Sequence, residues 1–448
     1  MKNNRRNFIK KTATLASLPF IPSAAWSNSK RTVLRTAHIG IGGMGFSDLK
    51  DISSHKNVEV AALCDVDSNA LDEASKLFPS ARTFKDYRLM FKEIGDLFDA
   101  VIVSTPDHTH APASMMAMEM NKSVYCQKPL THYVSEARAM GKIAKEKNLI
   151  TQMGIQVHSF YDYKLATLLI QSGIIGKVSK VRAWSPKNWG YNGPEPKGND
   201  EIPENLDWNL WLGTAKERPF KEKVYHQYNW RKLVDFGCGT LGDMGVHIFD
   251  TPYNALELGV PKTIKNKCRK PNGFGYPENN TVTYEFPGTK YTTESFKWIW
   301  NDGPGAPKKH RDLKLPNNEK LPSQGAIFYG EKGKLLLPHF MELPKLIVDG
   351  KYKKLDLESL ESSGQITNQP VRDYAGESHL HYHQFVDACL GKAKCTAPFS
   401  YASRLTETIL LGVIAGNFPG KTLNWDNEKA KFKEEKANKF LETSYREF

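Results

Sequence analysis

The sequence predicts an α/β protein with two unlike halves. A doubly wound parallel sheet comes first, and an α/β domain built on a large open, mainly antiparallel sheet follows. Three observations carry this. Short apolar runs alternate with helix-like segments from Thr32 to about Met153. A glycine-rich turn joins the first of those runs to the first helix-like segment. Beyond Pro261 the pattern changes to strand-like runs separated by turn signals. The chain has 448 residues, enough for two or three domains and a substantial core.

The first strand-like run, Val33 to Ile39, leads into Gly40-Ile41-Gly42-Gly43-Met44-Gly45. Gly40, Gly42 and Gly45 have the G-x-G-x-x-G spacing of a Rossmann dinucleotide-binding turn. The first glycine permits the tight turn and the second lets backbone approach a pyrophosphate. The third brings helix close to strand, so the helix N-terminus can face the phosphates, and Met44 in the same turn should border the cofactor. Gly237-Cys238-Gly239-Thr240-Leu241-Gly242 matches the same spacing, but no clear strand-like run precedes it.

The next run, Val58 to Cys64, ends at Asp65. A carboxylate there can accept hydrogen bonds from an adenosine ribose and would repel a 2′-phosphate, which favours NAD over NADP. Asp65-Val66-Asp67 also suits a helix cap, and both roles can hold together. Asp99 to Val103 is a buried strand running into Ser104-Thr105-Pro106-Asp107-His108-Thr109-His110. Carboxyl ends of parallel strands face the ligand crevice, so Thr105, Pro106 and His108 should border the cofactor. Ser123 to Cys126 then meets Gln127-Lys128-Pro129, with Gln127 at the cofactor and the Lys128 ammonium along the crevice. A helix from about Tyr133 to Lys147 and a strand near Ile150 close the unit.

The glycine turn, Asp65, Thr105 to His110 and Gln127-Lys128-Pro129 together resemble the Gfo/Idh/MocA family of nicotinamide-dependent oxidoreductases. The resemblance covers nearly all of the chain after its first thirty residues. It implies a bound NAD and a carbohydrate or polyol substrate. The family usually has Glu-Lys-Pro where this chain has Gln127-Lys128-Pro129, and losing that anion would disfavour the charged lysine.

In the second half, Tyr161 to Ile170 reads as a helix and Val178 to Trp184 as a strand. The irregular stretch Ser185 to Pro219 holds Trp189, Tyr191, Trp208 and Trp211. These rings suit either sugar faces or a self-packed loop. In Gly242 to Asp250, Asp243 and His247 stand at i and i+4, on one face if helical, with Asp250 three residues on. Removing hydride from a carbinol carbon needs a base for the hydroxyl proton. A histidine supplies it near neutral pH, and a carboxylate can orient it. A capped helix start is the plainer alternative. The resemblance implies the catalytic set Lys128, Asp243 and His247. Hairpins are expected at Ala326 to Leu337 and at Lys345 to Leu357, turning at Asp349-Gly350. By resemblance these strands floor the substrate site and serve homo-oligomerisation. His379, His383 and Asp387 share one face of a helix from His379 to Leu390. They spread too far along it to hold one metal ion without ligands from elsewhere, so no metal is expected. Ser400 to Val413 is a further helix.

Arg5-Arg6-Asn7-Phe8-Ile9-Lys10 resembles the twin-arginine export signal. A mildly apolar stretch to Pro22 and small residues at Ser23-Ala24-Ala25 follow. The expected division is a leader over 1–30, a Rossmann domain over 31–153, a substrate-binding α/β domain over 154–425 and a charged tail over 426–448. That address places the mature protein in the periplasm, with no stable membrane span and with its NAD recycled in place. The formal charge of +13 reads as solvated surface, and no nucleic-acid motif accompanies it. The six cysteines form no C-x-x-C pair, which argues against a zinc or disulfide framework. A redox-neutral NAD-dependent glycosidase and a sugar-binding protein without chemistry stay open beside the dehydrogenase.

Overall fold

The structure, a computed structural model, describes residues 32–357 and 370–448. The twin-arginine stretch lies outside the described residues.

The first half is a parallel sheet of six strands in the order β3-β2-β1-β4-β5-β6. These are β1 (Leu34–Ile39), β2 (Val58–Cys64), β3 (Arg82–Phe84), β4 (Ala100–Val103), β5 (Ser123–Gln127) and β6 (Thr151–Gly154). Helices α1 (Met44–Ser53), α2 (Ser68–Leu77), α3 (Tyr87–Ile94), α4 (Asp107–Glu119) and α5 (Val134–Glu146) connect them. All four residues of β4 are buried, as its continuous apolar run requires of a central parallel strand. The strand order reverses direction from β1, so the crevice opens between the carboxyl ends of β1 and β4.

The second half is a mixed, mainly antiparallel sheet of ten strands in the order β14-β13-β12-β11-β7-β10-β9-β8-β15-β16. Its strands are β7 (Val178–Ser185), β8 (Thr263–Lys267), β9 (Asn280–Pro287), β10 (Thr292–Asp302), β11 (Gly325–Gly330), β12 (Lys334–Pro338), β13 (Lys345–Val348), β14 (Lys351–Lys353), β15 (Thr422–Asp426) and β16 (Lys431–Phe432). Within this sheet only β7 and β10 pair in parallel. Both expected hairpins form, the second turning at Asp349-Gly350. The inner face of β10 alternates Phe296, Trp298 and Trp300, all fully buried. Trp298 stacks on Phe249 at 4.0 Å between ring centroids.

The remaining helices are α6 (Tyr161–Gln171), α7 (Trp208–Leu212), α8 (Val246–Ala255), α9 (Tyr374–Glu377), α10 (His379–Cys389) and α11 (Phe399–Ala415). α11 lies against α5 and seals the two halves together. Residues 426–448 pack on both halves rather than trailing free, and Tyr445 OH donates to Glu136 Oε1 of α5 at 2.6 Å. Arg446 donates to Asn209 Oδ1 at 2.7 Å and to the carbonyls of Gly213 and Ala215 at 3.1 and 3.0 Å. All six cysteines are free thiols. No described helix is long and apolar enough to cross a membrane.

Candidate active site

The glycine turn has the shape a dinucleotide needs. Gly40 has φ +79°, and a Cβ there would sit 2.8 Å from Thr105 N. A Cβ on Gly45 would lie 1.9 Å from the Gly40 carbonyl oxygen, so only glycine lets α1 approach β1 this closely. A Cβ on Gly42 meets nothing nearer than Ala70 Cβ at 3.8 Å, which leaves that side of the turn open to a ligand. Asp65 ends β2 and accepts from Ile41 N at 2.7 Å and Asp67 N at 3.0 Å. Its carboxylate therefore braces the turn, and its remaining lone pairs can still take a ribose hydroxyl. These residues fit NAD.

Two expected cofactor contacts lie off the cleft. His108 is buried, with its ring against Trp211 and Phe236 and its Nε2 3.2 Å from the Trp211 carbonyl. Burial pushes its pKa down to about 3, and it pins a loop of the second half rather than a ligand. Gln127 is also buried, and its amide donates to both Asp48 oxygens at 3.1 and 2.9 Å. Its Oε1 accepts from Lys128 N at 3.2 Å. It supports the lysine from beneath. Thr105 and Pro106 remain at the crevice, at the end of β4 and the start of α4. Met44 opens α1 and is 36 % exposed.

Lys128 and Asp243 come from different halves and meet. Lys128 Nζ lies 2.9 Å from Asp243 Oδ1 and 3.2 Å from the Asp243 carbonyl oxygen. Trp189 Nε1 donates to Asp243 Oδ2 at 2.6 Å, and Arg231 Nε to Oδ1 at 3.3 Å. Burial alone would raise the Asp243 carboxyl. Lys128 and Arg231 outweigh it and hold the carboxyl well below the usual range. Asp243 is no helix cap: it sits in a π-helical turn, Leu241–Gly245, just before α8. Such turns recur at functional sites because the extra residue re-aims side chains.

His247, on the first turn of α8, is half-buried, and its Nδ1 is enclosed without a hydrogen-bond partner. Burial lowers its pKa well below the ordinary value, and Lys128 and His339 push in the same direction. It is therefore neutral near pH 7. No hydrogen bond joins it to Asp243, contrary to the expected orienting role. Asp250 faces away: both its oxygens lie 2.9 Å from His158 Nδ1, and Tyr401 OH donates to it at 2.7 Å.

Three further residues belong to this cluster. Arg231 has no sequence signal: it lies in a short 3-10 turn, Asn229–Lys232, and no motif or periodicity ties it to Asp243. Its guanidinium lies 4.2 Å from the Trp230 ring centroid and 5.6 Å from that of Trp189. Asp107 begins α4 and is buried, which pushes its carboxyl up to about 7 against the pull of Arg231 and Lys128. His339, just past β12, sits 6.3 Å from His247 between ring centroids and bonds to the Tyr163 hydroxyl. The Gly237 to Gly242 run is a close-packing device on the second half. A Cβ at Gly242 would lie 2.2 Å from Cys238 Cβ.

The aromatic-rich stretch resolves into two roles. Trp208 and Trp211 stack at 4.8 Å in a local core with Phe220, Tyr225 and Phe236. Trp189 alone among these tryptophans reaches the catalytic cluster. On α10, His379 and His383 sit ring to ring at 4.8 Å with His55 beyond, and His381 is buried against Ser159. No group of three or more His, Cys, Asp or Glu among the described residues is arranged to hold a metal ion.

Comparison with known proteins agrees with this fold. A family model for the oxidoreductase family's NAD-binding Rossmann fold matches residues 34–155, and one for its C-terminal alpha/beta domain matches 161–260. A levoglucosan dehydrogenase of Pseudarthrobacter phenanthrenivorans is 24 % identical over 178 residues, 40 % of this chain and 37 % of that one. A glycosyl hydrolase family 109 protein of Shewanella pealeana is 26 % identical over 205 residues, 40 % of this chain and 45 % of that one. The matched region thus spans less than half the length of these relatives. A solved levoglucosan dehydrogenase, in complex with NADH and levoglucosan, shares the fold with TM-score 0.59 at 14 % identity, over 87 % of this chain and 99 % of that one. With its glycine turn, its β5 lysine and both family domains in sequence, the chain belongs to the Gfo/Idh/MocA oxidoreductase family.

Proposed function

We propose that the protein is an exported NAD-dependent oxidoreductase acting on a ring hydroxyl of a carbohydrate or polyol. The observation that carries this reading is the Lys128–Asp243 pair, formed across the two halves beside a neutral His247. When bound, NAD supplies the hydride acceptor or donor. The chain supplies the proton handling. His247 accepts the substrate hydroxyl proton as the carbinol is oxidised and returns it in the reverse direction. Lys128, fixed by Asp243, hydrogen-bonds the same oxygen and stabilises the charge that develops there. Arg231 and Trp189 hold the Asp243 carboxylate, so neither of its oxygens is left to compete for the substrate.

The twin-arginine motif supports a periplasmic address, where free dinucleotide is scarce. Recycling of bound NAD then follows, with one sugar oxidised and a second compound reduced. A second reading is a redox-neutral glycosidase that oxidises a hydroxyl, eliminates the aglycone and returns the hydride. The glycosyl hydrolase family 109 relatives favour keeping it.

Purified protein incubated with aryl glycosides and with free sugars separates the readings. A keto-sugar or NADH supports the dehydrogenase; aglycone release without net NADH supports the glycosidase. Lys128→Met and His247→Ala should each lower either activity by about 10²–10⁴-fold while NAD still binds. Unchanged turnover in both variants would remove the catalytic assignment.

A further inference from the structure

We propose that residues 186–237 form a strap that locks the dinucleotide into its cleft, and that Tyr228 is its cofactor-contacting residue. The inference rests on the NAD-dependent reading above and adds how the cofactor is kept.

The strap leaves the second half after β7 and crosses the first half along the line a dinucleotide would occupy. That line runs from the ribose carboxylate at the end of β2, past the glycine turn, to Lys128. The strap touches the first half at each station. Beside Asp65 it forms an antiparallel bridge, Asp67 with Leu206. Ser68 N donates to the Asn205 carbonyl at 2.8 Å, Asp207 N to the Val66 carbonyl at 2.9 Å, and Asn205 Nδ2 to Asp67 Oδ1 at 2.7 Å. At the glycine turn, a Cβ on Gly43 would lie 3.3 Å from the Tyr228 hydroxyl. At the nicotinamide end, Trp189 and Arg231 hold Asp243, and the Phe236 and Gly237 carbonyls meet His108 N and His132 Nε2 at 3.2 and 2.9 Å.

Tyr228 is the telling residue. It has φ +64°, a conformation a side chain adopts at a cost, and 53 % of it is exposed. Neither feature helps an empty loop. Both make sense if the hydroxyl is aimed at a ligand lying on the glycine turn, where a diphosphate would take its hydrogen bond. Arg231, 5.7 Å from the same ring, adds positive charge beside that path.

The strap is also expensive to open. Leu206, Trp208, Trp211, Phe220, Tyr225 and Phe236 form its own core, each at most 6 % exposed. Arg446 fastens it from outside through Asn209, Gly213 and Ala215. Lifting it pulls Trp211 and Phe236 off the buried His108 ring and uncovers Val66, so cofactor exchange must wait for a rare opening and retention is a rate property.

The test uses the full protein purified with the cofactor it carries. Bound NAD is measured by mass after denaturation. Exchange is then followed against excess isotope-labelled NAD by native mass spectrometry. The wild type should carry its cofactor through desalting and exchange slowly. Tyr228→Ala removes the contact, and Arg446→Ala loosens the strap without touching cofactor. Each should speed exchange by about tenfold or more. Exchange complete within mixing in the wild type, or wild-type rates in both variants, would overturn the strap. If no NAD binds even when supplied, the function fails along with it. Slow exchange sped by both variants, without sugar chemistry, would leave the strap standing and remove only the proposed substrate.

Discussion

Gln127 occupies the position where family likeness leads one to expect glutamate, and Asp48 shows why an amide suits it here. Asp48 is fully buried on α1 and accepts from Ser104 Oγ at 2.6 Å, Tyr382 OH at 2.8 Å and the Gln127 amide. A glutamate would set a second carboxylate against the first in a buried site. Gln127 instead links the Asp48 carboxyl to the backbone N–H of Lys128. The charged lysine loses less support than the sequence implied, because Asp243 pairs with it directly. Burial lifts the Asp48 carboxyl from 3.8 to about 6, more than its hydrogen bonds pull it down. The folded state therefore holds this proton while the unfolded chain has released it, and stability falls as pH rises from about 4 to about 6. Asp48→Asn should flatten that part of the stability–pH curve, by up to about 3 kcal/mol across the window. Denaturant melts at both ends of the window check this. Gln127→Glu alone should destabilise by about 1–3 kcal/mol, more at high pH. Adding Asp48→Asn should recover most of the loss. Equal stability of the single and double variants would show that the two groups do not interact.

The seam between α5 and α11 decides whether Lys128 and His247 stay in register. Glu407, fully buried on α11, receives Arg138 of α5 at 2.6 and 3.0 Å, Arg404 at 2.9 Å and Trp425 Nε1 at 3.1 Å. Gly141 lets the helices close up, since a Cβ there would lie 2.5 Å from Ser403 Oγ. Glu407→Ala should cost about 2–3 kcal/mol, at the low end for a buried pair because both arginines can reach water once freed. Thermal melting measures the loss, and kcat should fall with it if the seam sets the site. The elements themselves were legible because their cues are local. The glycine turn, the buried run of β4 and the Asp349-Gly350 hairpin each follow from a few adjacent residues. What escaped the sequence is what only tertiary contact creates. His339 and Asp48 join their partners across distant segments, Arg231 meets Asp243 from a neighbouring turn, and no periodicity marks any of them. The π-helical turn at Asp243 leaves no mark in the sequence, because local spacing cannot register one inserted residue. Trp208 and Trp211 looked as apt for sugar as for self-packing, and only the strap's core separates those uses.

At the scale of the whole molecule, the ten-stranded sheet has one face against the helices and one turned outward. The outward face is the surface that family likeness would assign to self-association. Its chemistry argues against a stable pair. On β14 to β7 the apolar residues Trp184, Ile327, Tyr329, Leu336 and Ile347 are already covered by Leu313 and Leu315 of the chain's own 303–322 segment. On β9 and β10 the outward residues are mostly polar, Ile299 apart, and include Thr281, Thr283, Glu285 and Lys297, the last two paired at 3.3 Å. Lys180 and Arg182 on β7 face the same side and share Asp312. Lasting homodimer interfaces are more apolar than ordinary surface, because lost freedom must be offset by buried apolar area. This face offers little such area, and a formal charge of +13 adds repulsion between copies. The protein should therefore sediment as a single chain at micromolar concentration in moderate salt. A two-chain mass that persists in high salt and disappears with Leu313→Asp would show that the covering segment opens to make the interface. Salt-sensitive association lost in Lys297→Glu would instead assign it to the polar strands.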